Sequence, residues 1–294
     1  MQTHRILSLL VAASSLLGTA LGTTAADRQV VLVAGRPSHG PGQHEHNAGV
    51  QLIHKCLQGV PGITARFYLN GWPQDPKAFD GADTILFFAD GGGGHPAIQG
   101  DHLKVLSEAM KRGAGLACVH YAVEVPKDRG GAEFLQWLGG YFETNWSVNP
   151  HWDGEFKEFP THPISRGVKP FKIRDEWYYH MRFQENMKGV TPILTAIPPD
   201  STRGSKDSTH GSNPHVRERK GMPEHVAWAY ERPDGGRGFG FTGAHFHKNW
   251  GDESFRKVVL NAILWTAKAE VPANGVESSI TPDDLTKNLD PKGK

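Results

Sequence analysis

The sequence predicts an α/β fold: a mostly parallel sheet with helices on both faces. Two observations carry this expectation. Short apolar runs at Val30–Ala34, Asp83–Phe88 and Gly113–Val119 are nearly unbroken, as strands buried on both faces require. Segments with helical spacing separate them, giving a β-α-β-β-α-β order.

The elements follow in order. Val30–Ala34 is the first strand. Asn47–Leu57 follows with an apolar stripe of Val50, Ile53 and Leu57, and Ile63–Tyr68 is the second strand. Asp83–Phe88 is the third. Pro96 opens the next helix, where a missing N–H costs nothing, and Leu103, Leu106 and Met110 form its inner stripe. Gly113–Val119 is the fourth strand, and Phe134–Leu138 fits a short helix. Weaker strand signals lie at Glu155–Phe159 and Glu176–Tyr179. Val190–Ile197, His225–Tyr230 and Gly238–Gly243 read as strands, and Phe255–Ala267 as an amphipathic helix. Residues 199–224 read as a long polar loop, a length typical of functional covers or disordered inserts.

The ends of the chain read differently. Residues 1–26 have the charged start, apolar middle and small-residue end of a secretory signal, so export to a periplasmic or extracellular space is expected. The mature domain is expected over 29–268, with a loose polar tail at 269–294. No later stretch is apolar enough to span a bilayer. The chain has 32 Lys+Arg against 31 Asp+Glu, and this near-neutral balance makes no case for nucleic acid or an anionic membrane. The two cysteines, Cys56 and Cys118, make no disulfide scaffold and are expected to be unpaired.

In an open α/β sheet, ligands bind beyond the carboxyl ends of the strands. The residues following four strands here deliver His39, His95, His120 and His245 to that edge. Imidazole is the commonest protein metal ligand, so a shared site is expected, although no HExxH or CxxC motif is present. His247 lies two residues beyond His245 and is expected to point away or to support the site from behind. The run Gly91–Gly94 lacks the lysine and spacing of a phosphate loop. The stretch Asp175–His180 offers Glu176 as a ligand or base, with Tyr178 on the same face. Trp146, Trp152, Trp177 and Trp250 are candidate rings for stacking on a sugar. Cys118 with His120 allows a thiol nucleophile on paper, but Cys118 lies inside an apolar run.

The segments GRPSHGPGQHEHNAG, GGGGHP, ACVHYAVE, THPISRG, DEWYYHMRF and GGRGFGFTGAHFHKNWG together resemble the ThuA-like (trehalose utilisation) family over about residues 29–268. The resemblance implies a flavodoxin-like three-layer sandwich of the class I glutamine amidotransferase-like type. Those amidotransferases carry a nucleophilic cysteine at the turn after a central strand. Here that turn falls near His120, which argues against glutamine hydrolysis. By motif, the resemblance implies a pocket of His46, His120, Glu176 and His245 holding a divalent metal, zinc above others. His120, Glu176 and Tyr178 are then the catalytic candidates, and His39, His95, Trp177 and His247 the substrate contacts. The family's link to sugars oxidised at C3 implies a sugar or keto-sugar substrate and a functional connection to a sugar 3-dehydrogenase. A ketone at C3 acidifies the neighbouring hydrogen, so epimerisation, isomerisation or elimination is the expected chemistry. A non-catalytic carbohydrate-binding protein is the alternative, and a hydrolase using Cys118 or Ser38 is a third.

Overall fold

The computed structural model describes residues 26–292. The expected signal segment falls almost wholly outside them. A seven-stranded sheet forms the centre. Its strands in chain order are β1 (Arg28–Ala34), β2 (Ile63–Tyr68), β3 (Thr84–Phe88), β4 (Gly115–Val119), β9 (Val190–Ala196), β10 (Glu224–Glu231) and β11 (Arg237–Phe241). Two small antiparallel pairs stand apart: β5 (Gly140–Tyr141) with β8 (Arg182–Phe183), and β6 (Trp152–Phe156) with β7 (Phe171–Asp175). The helices are α1 (His46–Leu57), α2 (His102–Lys111), α3 (Gly131–Leu138), α4 (Pro214–Arg217) and α5 (Glu253–Thr266).

The sheet order is β2-β1-β3-β4-β11-β10-β9. Its first five strands are parallel to their neighbours and repeat the flavodoxin-like order, so the expected fold class is observed. β10 runs antiparallel to both of its neighbours, β11 and β9, and the last two strands extend the edge. Alternation along the buried strands divides the core into two layers. Val30, Leu32, Leu86, Phe88 and Ala117 face α1 and α5. Val31, Val33, Ile85, Phe87 and Leu116 face α2 and α3.

β11 shows how sequence selects the layers. In Arg-Gly-Phe-Gly-Phe the phenylalanines turn toward α5, where Phe241 meets Phe255 edge to face. The glycines turn to the other side, where a Cβ on Gly240 would fall 2.1 Å from the Trp228 ring. Asp252 starts α5 by accepting the N–H of Phe255 at 2.9 Å.

Several expectations change. Pro96 opens a 3-10 turn (Pro96–Ile98), and α2 begins only at His102. The strand expected at Glu176–Tyr179 ends before it: β7 stops at Asp175, leaving Glu176 on the connection beyond. The strand expected at Glu155–Phe159 lies three residues earlier. Residues 199–224 carry a 3-10 turn (Asp200–Arg203) and α4, so they are not a structureless loop. The tail is packed rather than loose. Val271 and Val276 are buried, and Asp284 and Asp290 bond back to α1 and its lead-in. Cys56 and Cys118 are buried and unpaired, as expected. No helix among the described residues is long and apolar enough to cross a membrane.

Candidate metal centre

At the carboxyl edge of the sheet, four side chains converge: His44, His120, Glu176 and His245. Each arrives from a different segment. His120 follows β4 directly and adopts φ 57°, a left-handed turn that lifts its ring out of the strand line. The cost of such a conformation for a non-glycine residue is typical of functional positions. His44 also has positive φ, at 44°. Its loop pairs with the segment after β11: the His44 N–H donates to the His245 carbonyl at 3.0 Å, and the His247 N–H to that of Gly42 at 2.9 Å. This two-loop ladder sets His44 beside His245.

Asp175 organises the other half. Its fully buried carboxylate accepts the backbone N–H groups of Glu176, Ala244 and His245 and the side-chain amide of Asn249, all within 3.0 Å. One carboxylate thereby fixes the backbone carrying both Glu176 and His245. Asn149 donates to Glu176 Oε1 at 3.1 Å, leaving Oε2 toward the histidines.

The converging atoms are close. His44 Nε2 lies 3.0 Å from His120 Nε2 and 3.1 Å from His245 Nδ1. Glu176 Oε2 lies 2.9 Å from His245 Nδ1 and 3.5 Å from His120 Nε2. Four ligand atoms bound tetrahedrally to zinc at 2.0–2.1 Å would lie about 3.3–3.4 Å from one another. The observed separations bracket that spacing.

The far nitrogens fix the tautomers. His44 Nδ1 donates to Asp90 Oδ1 at 2.8 Å, and His120 Nδ1 donates to the Thr242 carbonyl at 2.8 Å, since neither oxygen can donate. In the neutral rings both Nε2 atoms are therefore lone pairs, and they face each other. Burial drives the pKa of His44 down, which keeps that ring neutral. Burial pushes the Asp90 carboxyl up, but the hydrogen bond from His44 and the nearby His46 outweigh it and keep Asp90 ionised. Glu176 behaves alike: burial raises its pKa, while His120 and His245 hold it well below the usual carboxylate range. Tyr178 Oη sits 3.3 Å from His120 Nε2 and 3.4 Å from Glu176 Oε2, and burial keeps its phenol protonated.

The expected residues divide. His120, Glu176, His245 and Tyr178 come together, and His39 stands at the mouth, stacked on His44 with ring centroids 3.6 Å apart. His46 does not join them. It opens α1, where its ring turns down against Phe88, donates from Nδ1 to the Arg36 carbonyl and stops 3.7 Å from Asp90. His44, two residues earlier in the same motif, takes the place expected of it.

Three expected substrate contacts are buried and cannot reach a ligand. His95 is fully enclosed, accepting the Ala97 N–H at Nδ1 and donating from Nε2 to the Ala122 carbonyl. It fastens two turns together. Trp177 is a core residue against Phe156, Phe241 and Phe255. His247 opens a 3-10 turn behind the site, because β11 ends at Phe241 and strand alternation no longer applies. Cys118 is fully buried, and burial pushes its thiol up, so it is no nucleophile. Sequence reasoning missed His44, Asp90, Asp175 and His151. The last is an exposed imidazole whose ring lies edge-on to His245, 4.8 Å between centroids.

A family model described as trehalose utilisation (ThuA) matches residues 30–266. Among solved structures, a ThuA-like protein from Bacteroides uniformis superposes with a TM-score of 0.57 at 15% identity, covering 85% of this chain and 95% of that one. A ThuA-like protein from Parabacteroides merdae gives 0.54 at 13% identity, covering 87% and 94%. At these identities the likeness concerns the fold. No curated protein sequence matches the chain significantly.

Proposed function

The chain belongs to the trehalose-utilisation (ThuA) family, whose model spans residues 30–266, and on that premise we propose that it is a metal-dependent enzyme acting on a sugar or keto-sugar. His44, His120, Glu176 and His245 would hold the divalent ion, with zinc favoured by three imidazoles and one carboxylate. One observation carries this reading: His44 and His120, each already donating from Nδ1, turn their Nε2 atoms toward each other across 3.0 Å, and in neutral rings both of those atoms are lone pairs. Two lone pairs at that distance repel unless positive charge lies between them. Asp90 behind His44 and the Thr242 carbonyl behind His120 are the outer partners that ligating histidines commonly have.

When bound, such an ion would supply Lewis acidity to a sugar carbonyl that joins the four side chains as a further ligand, and so acidify the adjacent C–H. The protein's own groups then move the proton. His39 is half-exposed at the mouth, and burial lowers its pKa below the ordinary histidine value, so it is neutral and able to accept. Tyr178 is buried and keeps its proton; its hydroxyl, 3.3 Å from His120 Nε2 and 3.4 Å from Glu176 Oε2, holds those two groups in place, and His39 returns the proton to the substrate. Removal of a proton beside a ketone and its return to either face gives epimerisation; return to the neighbouring carbon gives isomerisation; loss of a β-glycosyloxy group gives elimination.

The test is incubation of zinc-loaded protein with a 3-keto-disaccharide in D₂O, followed by NMR. The reading expects deuterium at the carbon next to the ketone, or its loss with the leaving glycosyl group. An unchanged substrate with undiluted C–H signals in zinc-loaded protein would contradict it.

A further inference from the structure

A cavity of about 700 Å³ adjoins the histidine cluster, and Asp90, whose carboxylate binds His44, forms part of its wall. It opens beyond β1, β2 and β3 and is lined by Arg36, Trp72, Gln74, Asp90, Gln99 and His102 among others. Its size lies within the range of small-molecule sites. We infer that this cavity is a second glycosyl subsite, holding the non-reacting sugar unit of a disaccharide whose reacting ring lies at the cluster. This rests on the carbohydrate reading above.

The polar groups of the wall are those a neutral polyol needs. The Arg36 guanidinium makes no hydrogen bond or ion pair among the described residues, and its donors suit hydroxyl and ring oxygens. Gln99 spends both amide N–H groups on nearby carbonyls and Gln74 one, leaving both side-chain oxygens to accept from hydroxyls and one Gln74 N–H to donate. His102 donates from Nδ1 to the Pro96 carbonyl, so its Nε2 is a further acceptor. That ring stacks on Trp72, 3.8 Å between centroids and 5° from parallel, and holds the indole as a rigid side of the cavity. Arg36 and Asp90 are opposite in sign, and no other lysine or arginine lines the cavity among the described residues, so a phosphorylated or otherwise anionic ligand gains little. A second sugar bound here would add hydrogen bonds that a monosaccharide cannot make.

The experiment is calorimetric titration of the whole protein with trehalose and with glucose, for the wild type, Arg36→Ala and Gln74→Ala, each with and without added zinc. Both side chains are exposed, so the fold should persist, and circular dichroism checks it. The expected result is trehalose binding about tenfold or more tighter than glucose, with each substitution removing most of that advantage, about 1.4 kcal/mol per tenfold. Equal affinities for the two sugars, no trehalose binding at millimolar concentration, or variants indistinguishable from wild type would overturn the subsite. Zinc uptake is read in the same samples. Protein that takes no zinc yet binds trehalose through Arg36 and Gln74 would refute the metal centre and keep the subsite.

Discussion

The Nε2 atoms of His44 and His120 lie 3.0 Å apart, although the two residues are 76 positions apart in the chain and each already donates from its other nitrogen. The Asp90 carboxylate orients His44 and raises its basicity as a ligand. Asp90→Asn preserves the shape and an accepting oxygen but removes the charge. Zinc affinity should fall about 10–100-fold, the usual cost of losing such an outer partner. Competition with a chelating dye measures it; an unchanged affinity would separate Asp90 from the centre.

His39 should matter for turnover and not for metal. It adopts φ 58°, a region asparagine tolerates, so His39→Asn should fold without new strain. Loss of a positioned proton acceptor commonly costs about 10²–10⁴ in rate. The expected outcome is that fall in kcat with zinc content intact. A variant with full kcat would move the role elsewhere, with His151 next in position.

Acid should destabilise the fold through histidines that burial keeps neutral. His95, His162 and His180 each have a pKa pushed down by burial to about 4, from 6.5 in the unfolded chain. Between these values the unfolded chain binds more protons than the folded one. Their stabilisation is therefore complete above pH 6.5 and is lost as pH falls toward 4. Tm should drop across that window. For His95, His95→Phe should be less stable at pH 7.5 by about 1–3 kcal/mol, because it strands the Ala97 N–H and the Ala122 carbonyl. Its decline with acid should be shallower. A wild-type Tm flat from pH 6.5 to 4 would contradict the assignment.

The C-terminal segment braces the loop that carries His44. Lys292 Nζ reaches Glu45 Oε1 at 3.3 Å, the Asp290 N–H donates to Glu45 Oε2, and the Asn47 amide donates to Asp290. Glu45 is almost wholly buried, so Lys292→Ala leaves its charge unpaired, at a cost of about 3–5 kcal/mol. Chemical denaturation measures it. A change under 0.5 kcal/mol, the range of an ordinary surface substitution, would show the brace to be idle.

The parallel core was legible because burial on both faces forces apolar runs, and the strand-end rule then nominated His39, His120 and His245 correctly as neighbours. His95 follows a strand too, but its turn folds it inward to cap a 3-10 turn, a local hydrogen-bond choice that spacing does not record. His44 and His46 share one motif. What separates them is the point where α1 begins, and helix starts are set by tertiary contacts as much as by sequence. Nothing in the sequence marks Asp175 apart from its neighbours in the stretch Asp175–His180. Its importance comes from accepting N–H groups near residue 245, a pairing visible only after folding. The tail looked loose by composition, yet a few buried charges tie it down.

The most direct measurement is the zinc content of the purified, zinc-reconstituted protein beside His44→Ala and His46→Ala, by plasma emission with folding checked by circular dichroism. The account predicts about one zinc per wild-type chain, loss of most of it in His44→Ala, and retention in His46→Ala, because removing one of four ligands leaves the coordination incomplete. A wild type that takes up no zinc, or a loss confined to His46→Ala, would contradict it.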